Sequence, residues 1–319
     1  MGTACSGAKI ATFFVAGIVA LGLTPSFTGT ASAATCVTTG SRPAVVTSST
    51  NWSLRDSLST GGPHITFAYG TRPPALVPLT GDWDGDGTKT PGIFQGGVFK
   101  LSNTITGNPT PAATVTFGDP RGFPVSGDFD GNCYDDLAVY RAGVWQIHRL
   151  GPNAAPDSTL DFGSGTWPNT IPVAGDWDGD GVDGIGTYTY ATGEWNLRNT
   201  ATAGSANAGT FTFVAGTGSY PVVGDWDGDG VDGIGVKDST TTWSLRNTAT
   251  SGNPEITFQF GAANDVPLTW KPGLPTESGD VVVCVYGYAE HTVSQEIADT
   301  LVAEGVAEYG PCPPSPFTP

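Results

Sequence analysis

The sequence predicts an all-β protein, most simply a β-propeller of five four-stranded blades. Three observations support this prediction. A unit of 46 to 50 residues repeats along the chain, its apolar residues alternate with period two, and Gly (46) and Pro (25) are abundant among 319 residues. Period-two alternation places apolar side chains on one face of a strand. Many Gly and Pro favour short strands joined by turns over long helices.

Each repeat unit contains three anchors. An Asp-rich loop begins at Gly81, Gly127, Gly175 and Gly224. An aromatic-x-aliphatic step begins at Trp52, Phe99, Trp145, Trp195 and Trp243. A closing step contains Phe67, Phe117, Phe162, Phe213 and Phe258. With one strand before the loop and one after it, a unit holds four strands, which is the scale of a propeller blade. A solenoid is the competing architecture, but its β repeats are usually shorter.

The two ends of the repeat region predict how the ring closes. The N-terminal unit starts with a second strand at 44–47 and lacks a first strand and an Asp loop. The segment 266–269 repeats the pattern of the first strand at 77–80, but no Asp loop follows it. We therefore expect the late strand to complete the N-terminal blade, which removes exposed strand edges. This gives five blades; six or seven remain possible, because residues 271–319 contain further β-rich sequence.

The chain divides into three parts. Residues 1–33 are typical of a secretory signal, with Lys9, an apolar run and an Ala31-Ser32-Ala33 cleavage site. The apolar run is too short and too interrupted for a comfortable membrane span. We therefore expect a secreted, extracellular protein without membrane contact after cleavage. Residues 34–270 form the propeller. Residues 271–319 are predicted to form a small C-terminal β-α appendage, helical over 291–304, with a Pro-rich tail.

Four cysteines remain after signal cleavage: Cys36, Cys133, Cys284 and Cys312. An even number in an exported chain indicates two disulfides, with three possible connectivities. We favour Cys284–Cys312, because both residues lie in the C-terminal segment, and Cys36–Cys133 would then follow by elimination.

Charge and loop composition together predict a calcium site. Asp and Glu outnumber Lys and Arg by 30 to 13, giving a net charge of -17. This balance argues against nucleic acid and anionic membranes as partners and fits hard cations. In the third loop Asp176, Asp178 and Asp180 occupy positions one, three and five, and Gly181 permits the sharp turn. These carboxylates repel one another without a cation, and oxygen-only ligands speak against zinc and copper. The loop is not an EF-hand, because position twelve falls in a predicted strand.

The motif G-D-[WF]-D-G-[DN]-[GC] occurs four times, and over residues 43–270 the chain resembles the FG-GAP or VCBS-type repeats of β-propellers. The resemblance implies Ca²⁺ loops between the first two strands of a blade, with ligands at positions one, three, five, seven and nine. The ligands that it implies, with position seven acting through its backbone carbonyl, are Asp82, Asp84, Asp86 and Thr88; Asp128, Asp130, Asn132, Tyr134 and Asp136; Asp176, Asp178, Asp180 and Val182; and Asp225, Asp227, Asp229 and Val231.

The four loops depart from the family pattern in different ways. Only Asp136 keeps the ninth-position Asp, and Asp183 and Asp232, one residue earlier, are expected to substitute through a shifted geometry or a bridging water. The second loop has Asn132 and Cys133 where Asp and Gly are expected, which puts its affinity or its turn in doubt. Lys89 at position eight is expected to weaken the first loop. The third and fourth loops are therefore predicted to bind best.

These patterns predict a monomeric, non-enzymatic, calcium-binding module for binding or scaffolding, with an undefined protein or glycan ligand. No catalytic motif is recognisable, and 15 of the 30 acidic residues lie in the four loops, so the repeat accounts for them without catalysis. Two alternatives stay open. One is a carbohydrate-binding lectin, in which the loop aromatics Trp83, Phe129, Trp177 and Trp226 stack on sugars, although packing between blades is their expected role. The other is an exported hydrolase or its accessory domain.

Overall fold

The computed structural model describes residues 40–47, 50–70, 76–107, 109–214, 219–272, 281–285, 290–293 and 307–309. The chain divides into two units, Met1–Pro272 and Gly273–Pro319, which are treated separately below. The predicted signal sequence, Cys36 and Cys312 lie outside the described residues. The predicted Cys284–Cys312 pair therefore also lies outside them. Within the described residues, no helix has the length and apolar character needed to cross a membrane.

The described residues of the first unit form twenty strands in five antiparallel sheets of four, which we name blades A to E. Their strands are, in blade A, β1 (Arg42–Val46), β2 (Asn51–Leu54), β3 (Ile65–Ala68) and β20 (Val266–Trp270); in blade B, β4 (Val77–Gly81), β5 (Thr90–Gln95), β6 (Val98–Leu101) and β7 (Ala113–Thr116); in blade C, β8 (Phe123–Gly127), β9 (Asp136–Arg141), β10 (Val144–His148) and β11 (Ser158–Asp161); in blade D, β12 (Thr170–Gly175), β13 (Gly184–Thr189), β14 (Glu194–Arg198) and β15 (Gly209–Thr212); and in blade E, β16 (Tyr220–Gly224), β17 (Gly233–Lys237), β18 (Thr242–Arg246) and β19 (Ile256–Gln259).

The ring closes as the sequence predicts. Strand β20 pairs antiparallel with β1, from Arg42 opposite Trp270 to Val46 opposite Val266, and it supplies the inner strand of blade A. The inner strands β4, β8, β12, β16 and β20 adjoin one another in that order, and β20 adjoins β4 again. The closed ring confirms five four-stranded blades.

The repeated tryptophans form the cores of the blades. Trp52, Trp145, Trp195 and Trp243 are each at most 1% exposed, as their alternating pattern predicts. Three of these indoles donate hydrogen bonds to backbone carbonyls, and Trp145 Nε1 lies 3.2 Å from the oxygen of Phe162. A buried indole N–H usually finds such a partner, whereas Trp195 Nε1 has none among the described residues. The loop aromatics Trp83, Phe129, Trp177 and Trp226 are also buried, which supports the packing role expected for them.

Three arginines at the end of the third strand organise the loop that follows it. The Nη1 atoms of Arg55, Arg198 and Arg246 donate to backbone carbonyls seven residues further along, at distances of 2.6, 2.8 and 3.2 Å. A guanidinium offers five donors in a fixed fork, which suits it to gathering several loop carbonyls. These arginines therefore shape the connection to the outer strand.

The second unit contains a three-stranded antiparallel sheet. Its strands are β21 (Val281–Val285), β22 (Glu290–Val293) and β23 (Ala307–Tyr309), in the order β22-β21-β23. The prediction of a helix starting at His291 is wrong for its first three residues, because His291, Thr292 and Val293 pair with β21. Thr292 and Val293 are β-branched, which favours a strand over a helix. The rest of that predicted helix lies outside the described residues.

Candidate metal centres

Four acidic loops join the first and second strands of blades B to E, where the family resemblance implies them. We name them loop B (82–89), loop C (128–135), loop D (176–183) and loop E (225–232). Each loop follows the inner strand of its blade directly. The loops therefore lie around one end of the inner strands, which holds their residues in equivalent places.

The first Asp of each loop is buried and organises the turn. In loop D the Oδ1 atom of Asp176 accepts hydrogen bonds from the backbone N–H of Gly179 (2.7 Å) and Asp180 (3.2 Å), and Oδ2 accepts from Gly181 (2.8 Å). Gly179 and Gly181 have φ of 76° and 84°, a left-handed conformation that glycine adopts without strain. Loops B, C and E repeat these hydrogen bonds.

The fifth residue of each loop fixes the seventh. The side chain of Asp180 accepts the backbone N–H of Val182 at 2.9 Å, and Asp229 accepts that of Val231 at 2.9 Å. Asp86 and Asn132 make the same bonds to Thr88 and Tyr134. The residue whose carbonyl is the predicted position-seven ligand is thus tied to its neighbouring ligand in all four loops.

The carboxylates of each loop converge. In loops B, D and E three of them, and in loop C two of them together with Asp136 at the start of β9, offer ligand atoms that all lie within 4.8 Å of one another. Oxygen ligands bind Ca²⁺ at about 2.3–2.6 Å, so two ligands of one ion lie at most about 5.2 Å apart. The clusters have a size that suits one cation each. Their members are Asp82, Asp84 and Asp86; Asp128, Asp130 and Asp136; Asp176, Asp178 and Asp180; and Asp225, Asp227 and Asp229.

The clusters of loops B, D and E carry uncompensated negative charge. Burial, with the charge of Asp135 as the next cause, raises the pKa of Asp82 to about 7, and burial also raises the pKa of Asp176. Among the described residues, no Lys or Arg makes an ion pair with these three clusters. A hard cation with several oxygen ligands fits this donor set.

Loop C keeps its turn but differs in composition. Cys133 replaces glycine at position six and adopts a φ of 69°, and its N–H donates to Asp128 Oδ2 at 2.7 Å. The expected disturbance of the turn is therefore not found. Cys133 is disulfide-bonded. Asp136 joins the cluster, as the resemblance implies. The amide nitrogen of Asn132 donates to Leu150 O at 2.8 Å, and its Oδ1 accepts the N–H of Tyr134 at 2.8 Å.

A residue just after the third strand contacts each of three clusters, and the sequence analysis missed it. Asn103 and Asn199 donate their amide to Asp84 and Asp178 at 2.7 and 2.5 Å. In blade C the equivalent residue is Arg149, whose Nη1 lies 3.6 Å from Asp136 Oδ2. The signal was available: Asn103, Asn199 and Asn247 each stand four residues after the aromatic anchor.

Position eight of the loops does not join the clusters, and instead connects neighbouring blades. Asp183 Oδ2 accepts the N–H of Asp128 at 2.9 Å, and the Asp183 N–H donates to the Asp128 carbonyl at 2.7 Å. Asp232 makes the same pair of bonds to Asp176, at 3.0 and 2.7 Å. The structure thus places Asp183 and Asp232, expected as substitute ligands, in links between blades, because their side chains reach the preceding loop. Asp135 links loop C to Asp82 in the same way.

The remaining two links complete a ring of five. The Lys89 N–H donates to the carbonyl of Lys271, which follows β20, at 3.1 Å. Between blades A and E, the Ser41 N–H donates to the Asp225 carbonyl at 2.5 Å, and Asp225 N–H donates to Ser41 Oγ at 3.2 Å. The residue that precedes the second strand of each blade therefore links that blade to the blade before it in the ring.

Lys89 does not face the cluster of loop B, contrary to the expected weakening of that site. Its ammonium lies 2.8 Å from Asp135 Oδ2 in the ring of links. Burial disfavours its charge, but Asp135 and Asp183 together outweigh that cost and raise the pKa of Lys89. The lysine therefore stays charged, and among the residues that the structure describes none forms an ion pair with the carboxylate cluster of loop B.

The inner strands surround a cavity of about 940 Å³. At the ends of these strands next to the loops it is lined by linking side chains, among them Lys89 and Asp183. At their beginnings it is lined by Phe123, Trp167 and Tyr220. The Trp167 ring centroid lies 4.8 Å from that of Phe123 and 6.1 Å from that of Tyr220, and Trp167 is 46% exposed.

Fold and loops together define a class: a five-bladed β-propeller, four of whose blades carry acidic clusters that could hold a metal ion. No family model matches the chain, and no curated protein is similar to it. Three solved structures show a distant likeness at 14–18% identity. They are an Agrocybe aegerita lectin that recognises non-reducing terminal N-acetylglucosamine (15% identity, TM-score 0.40, 70% of this chain and 63% of that chain), BBS1N in complex with ARL6DN (18%, 0.35, 67% and 63%) and the Photorhabdus luminescens Tc holotoxin pore (14%, 0.34, 68% and 11%). The match thus spans less than two thirds of each of those chains, and a likeness at this level concerns the fold alone.

Proposed function

We propose that the protein is a secreted, calcium-binding β-propeller of the FG-GAP or VCBS type that acts as a non-enzymatic binding or scaffold module. The main support is the recurrence of a converging oxygen cluster, with its first Asp buried, at the same place in four blades. Bound Ca²⁺ would neutralise these carboxylates and hold each loop in its folded form. Asp82, Asp176 and Asp225 also take part in the links between blades, so cation binding would support the ring as well as the loops.

The structural use of the acidic residues supports a role without catalysis. Both oxygens of Asp176 accept loop N–H groups, and the carboxylate of Asp232 accepts the N–H of Asp176. A carboxylate that accepts several backbone hydrogen bonds is held in a structural arrangement. Enzymatic proton transfer instead requires a carboxylate that can reach a substrate.

Substitutions of two aspartates in loop E distinguish metal binding from the links between blades. We expect Asp229→Ala to remove one bound Ca²⁺, because Asp229 belongs to the cluster. We expect Asp232→Ala to keep the calcium count and to lower the free energy of unfolding by about 1–3 kcal/mol, even in EDTA, because the buried Asp176 N–H loses its acceptor. Native mass spectrometry gives the count, and urea unfolding gives the stability.

The wild-type protein and Asp232→Ala provide the two decisive outcomes. A wild-type protein that binds no Ca²⁺ at millimolar concentration would overturn the calcium-binding proposal. Loss of one ion in Asp232→Ala would show that Asp232 is a calcium ligand and would contradict its assignment as a linking residue.

A carbohydrate-binding function is the second candidate, and the exposed Trp167 favours it. An indole that is 46% exposed, beside Phe123 and Tyr220 at the cavity, offers an apolar face of the kind that binding sites use. We expect Trp167→Ala to weaken binding of a glycan found by array screening at least about tenfold, which corresponds to about 1.4 kcal/mol. Isothermal titration calorimetry measures the change. Val144→Ala, at a position 39% exposed on β10, is the matched control. Equal affinity of the two variants, or an array without hits, would exclude this candidate.

A further inference from the structure

The residue just after the third strand distinguishes blade C from blades B, D and E. Asn103, Asn199 and Asn247 occupy this position in three blades, and Arg149 occupies it in blade C. The amides of Asn103 and Asn199 contact their clusters directly, through Asp84 and Asp178. The position is therefore part of the candidate metal centre, although it lies outside the acidic motif.

The asparagines present an acceptor that calcium uses. The Oδ1 atoms of Asn199 and Asn247 are buried and have no hydrogen-bond partner among the described residues. An unsatisfied buried acceptor costs about 1–3 kcal/mol. Beside three carboxylates only a donor or a cation can satisfy it, and Ca²⁺ takes six to eight oxygen ligands, including asparagine carbonyls. This oxygen is a suitable ligand in addition to the three carboxylates.

Arg149 brings a positive charge into the same place in blade C. Its side chain is only 9% exposed, and the guanidinium lies 3.6 Å from Asp136 Oδ2 and 4.0 Å from Asp130 Oδ2. It also lies over the ring of Phe129, with its Cζ 5.9 Å from the ring centroid. Among the residues that the structure describes, neither its Nε nor its Nη1 has a hydrogen-bond partner, and Asp130 Oδ1 has none either. A buried charge is tolerated where opposite charges surround it.

We propose that Arg149 takes the place of the metal ion in loop C, so that the protein binds three calcium ions, in loops B, D and E. A guanidinium in contact with two of the three carboxylates neutralises part of their charge. It also repels a divalent cation at the same place, where burial weakens solvent screening. In the other three blades the asparagine supplies an oxygen and no charge. This inference rests on the proposed calcium-binding function.

Exchanging the two residue types between blades tests the proposal. By native mass spectrometry in millimolar Ca²⁺, we expect three ions in the wild-type protein, four in Arg149→Asn and two in Asn199→Arg. Arg149→Lys, which keeps the charge, is expected to retain three. In EDTA we expect Arg149→Asn to melt below the wild-type protein, because it loses the counter-charge of Asp130 and Asp136, and to gain more than the wild type when Ca²⁺ is added.

The possible counts separate failure of this proposal from failure of calcium binding itself. Four ions in the wild-type protein, or three in folded Arg149→Asn, would overturn the role of Arg149. If Arg149→Asn does not fold, Asn199→Arg still tests the proposal, because this variant leaves loop C intact. A count of three ions in Asn199→Arg would overturn the proposal as well. Zero ions in every variant would reject the underlying calcium-binding function.

Discussion

Transfer from 10 mM Ca²⁺ into EDTA is expected to lower the melting temperature by roughly 10–30 °C. Extracellular sites with dissociation constants of about 10⁻⁴–10⁻³ M each add about 1.4–2.7 kcal/mol at this concentration. The clusters of loops B, D and E together then give about 4–8 kcal/mol. In a domain of this size each kcal/mol corresponds to about 2–4 °C. The effect is large because these clusters have no ion-pair partner among the described residues.

Differential scanning calorimetry checks this expectation. Sodium chloride at equal ionic strength is the control for screening among the excess acidic groups, and Mg²⁺ at equal concentration is the control for divalent charge. Because Mg²⁺ demands near-ideal octahedral geometry and gives up water reluctantly, we expect it to stabilise the protein less than Ca²⁺ does. Identical melting curves in Ca²⁺ and EDTA would contradict the structural role of calcium.

Ending the chain after Ala262 is expected to abolish cooperative unfolding, whereas ending it after Pro272 is expected to preserve it. The shorter form lacks β20, the inner strand of blade A. Its loss exposes one edge of β1, where Val45 and Val46 are 1% and 2% exposed in the intact ring. It also removes Trp270, whose indole donates to the Arg55 carbonyl at 3.1 Å. An unpaired edge beside a newly opened apolar surface favours aggregation.

Soluble yield, circular dichroism and urea titration compare the two truncated forms. The form ending at Pro272 keeps all twenty strands of the first unit and is therefore the matched control. Cooperative unfolding of the Ala262 form with an unchanged midpoint would show that closure by β20 contributes little to stability.

The architecture was predictable because its signals repeat. The segment 266–269 copies the pattern of 77–80, and this copy alone located the closing strand. The clusters of loops B, D and E followed equally well from carboxylates at positions one, three and five, and that of loop C from positions one, three and nine. The helix expected from His291 did not follow, because spacing of apolar residues was given more weight than the β-branched Thr292 and Val293.

Position eight was harder, because its role depends on the neighbouring blade. Asp135, Asp183 and Asp232 are in phase in the sequence, but nothing within one loop indicates that their carboxylates reach the loop before. The same reason explains why the pairing of Lys89 with Asp135 was not predicted. Arg149 could have been found by aligning the residue after each third strand. The exposed Trp167 lies outside the repeat, so only the fold reveals its neighbours.

Because the chain is synthesised from its N-terminus, the links between blades become possible one after another. Loop B receives its link only after Asp135 of blade C has been synthesised, loop C only after Asp183, and loop D only after Asp232. Blade A is completed last, when β20 pairs with β1. A growing chain can thus form individual hairpins, but it cannot close the ring until almost all of the propeller sequence exists. Late closure of this kind keeps the nascent chain open, a state compatible with the passage of an unfolded polypeptide through a membrane that we propose for this protein.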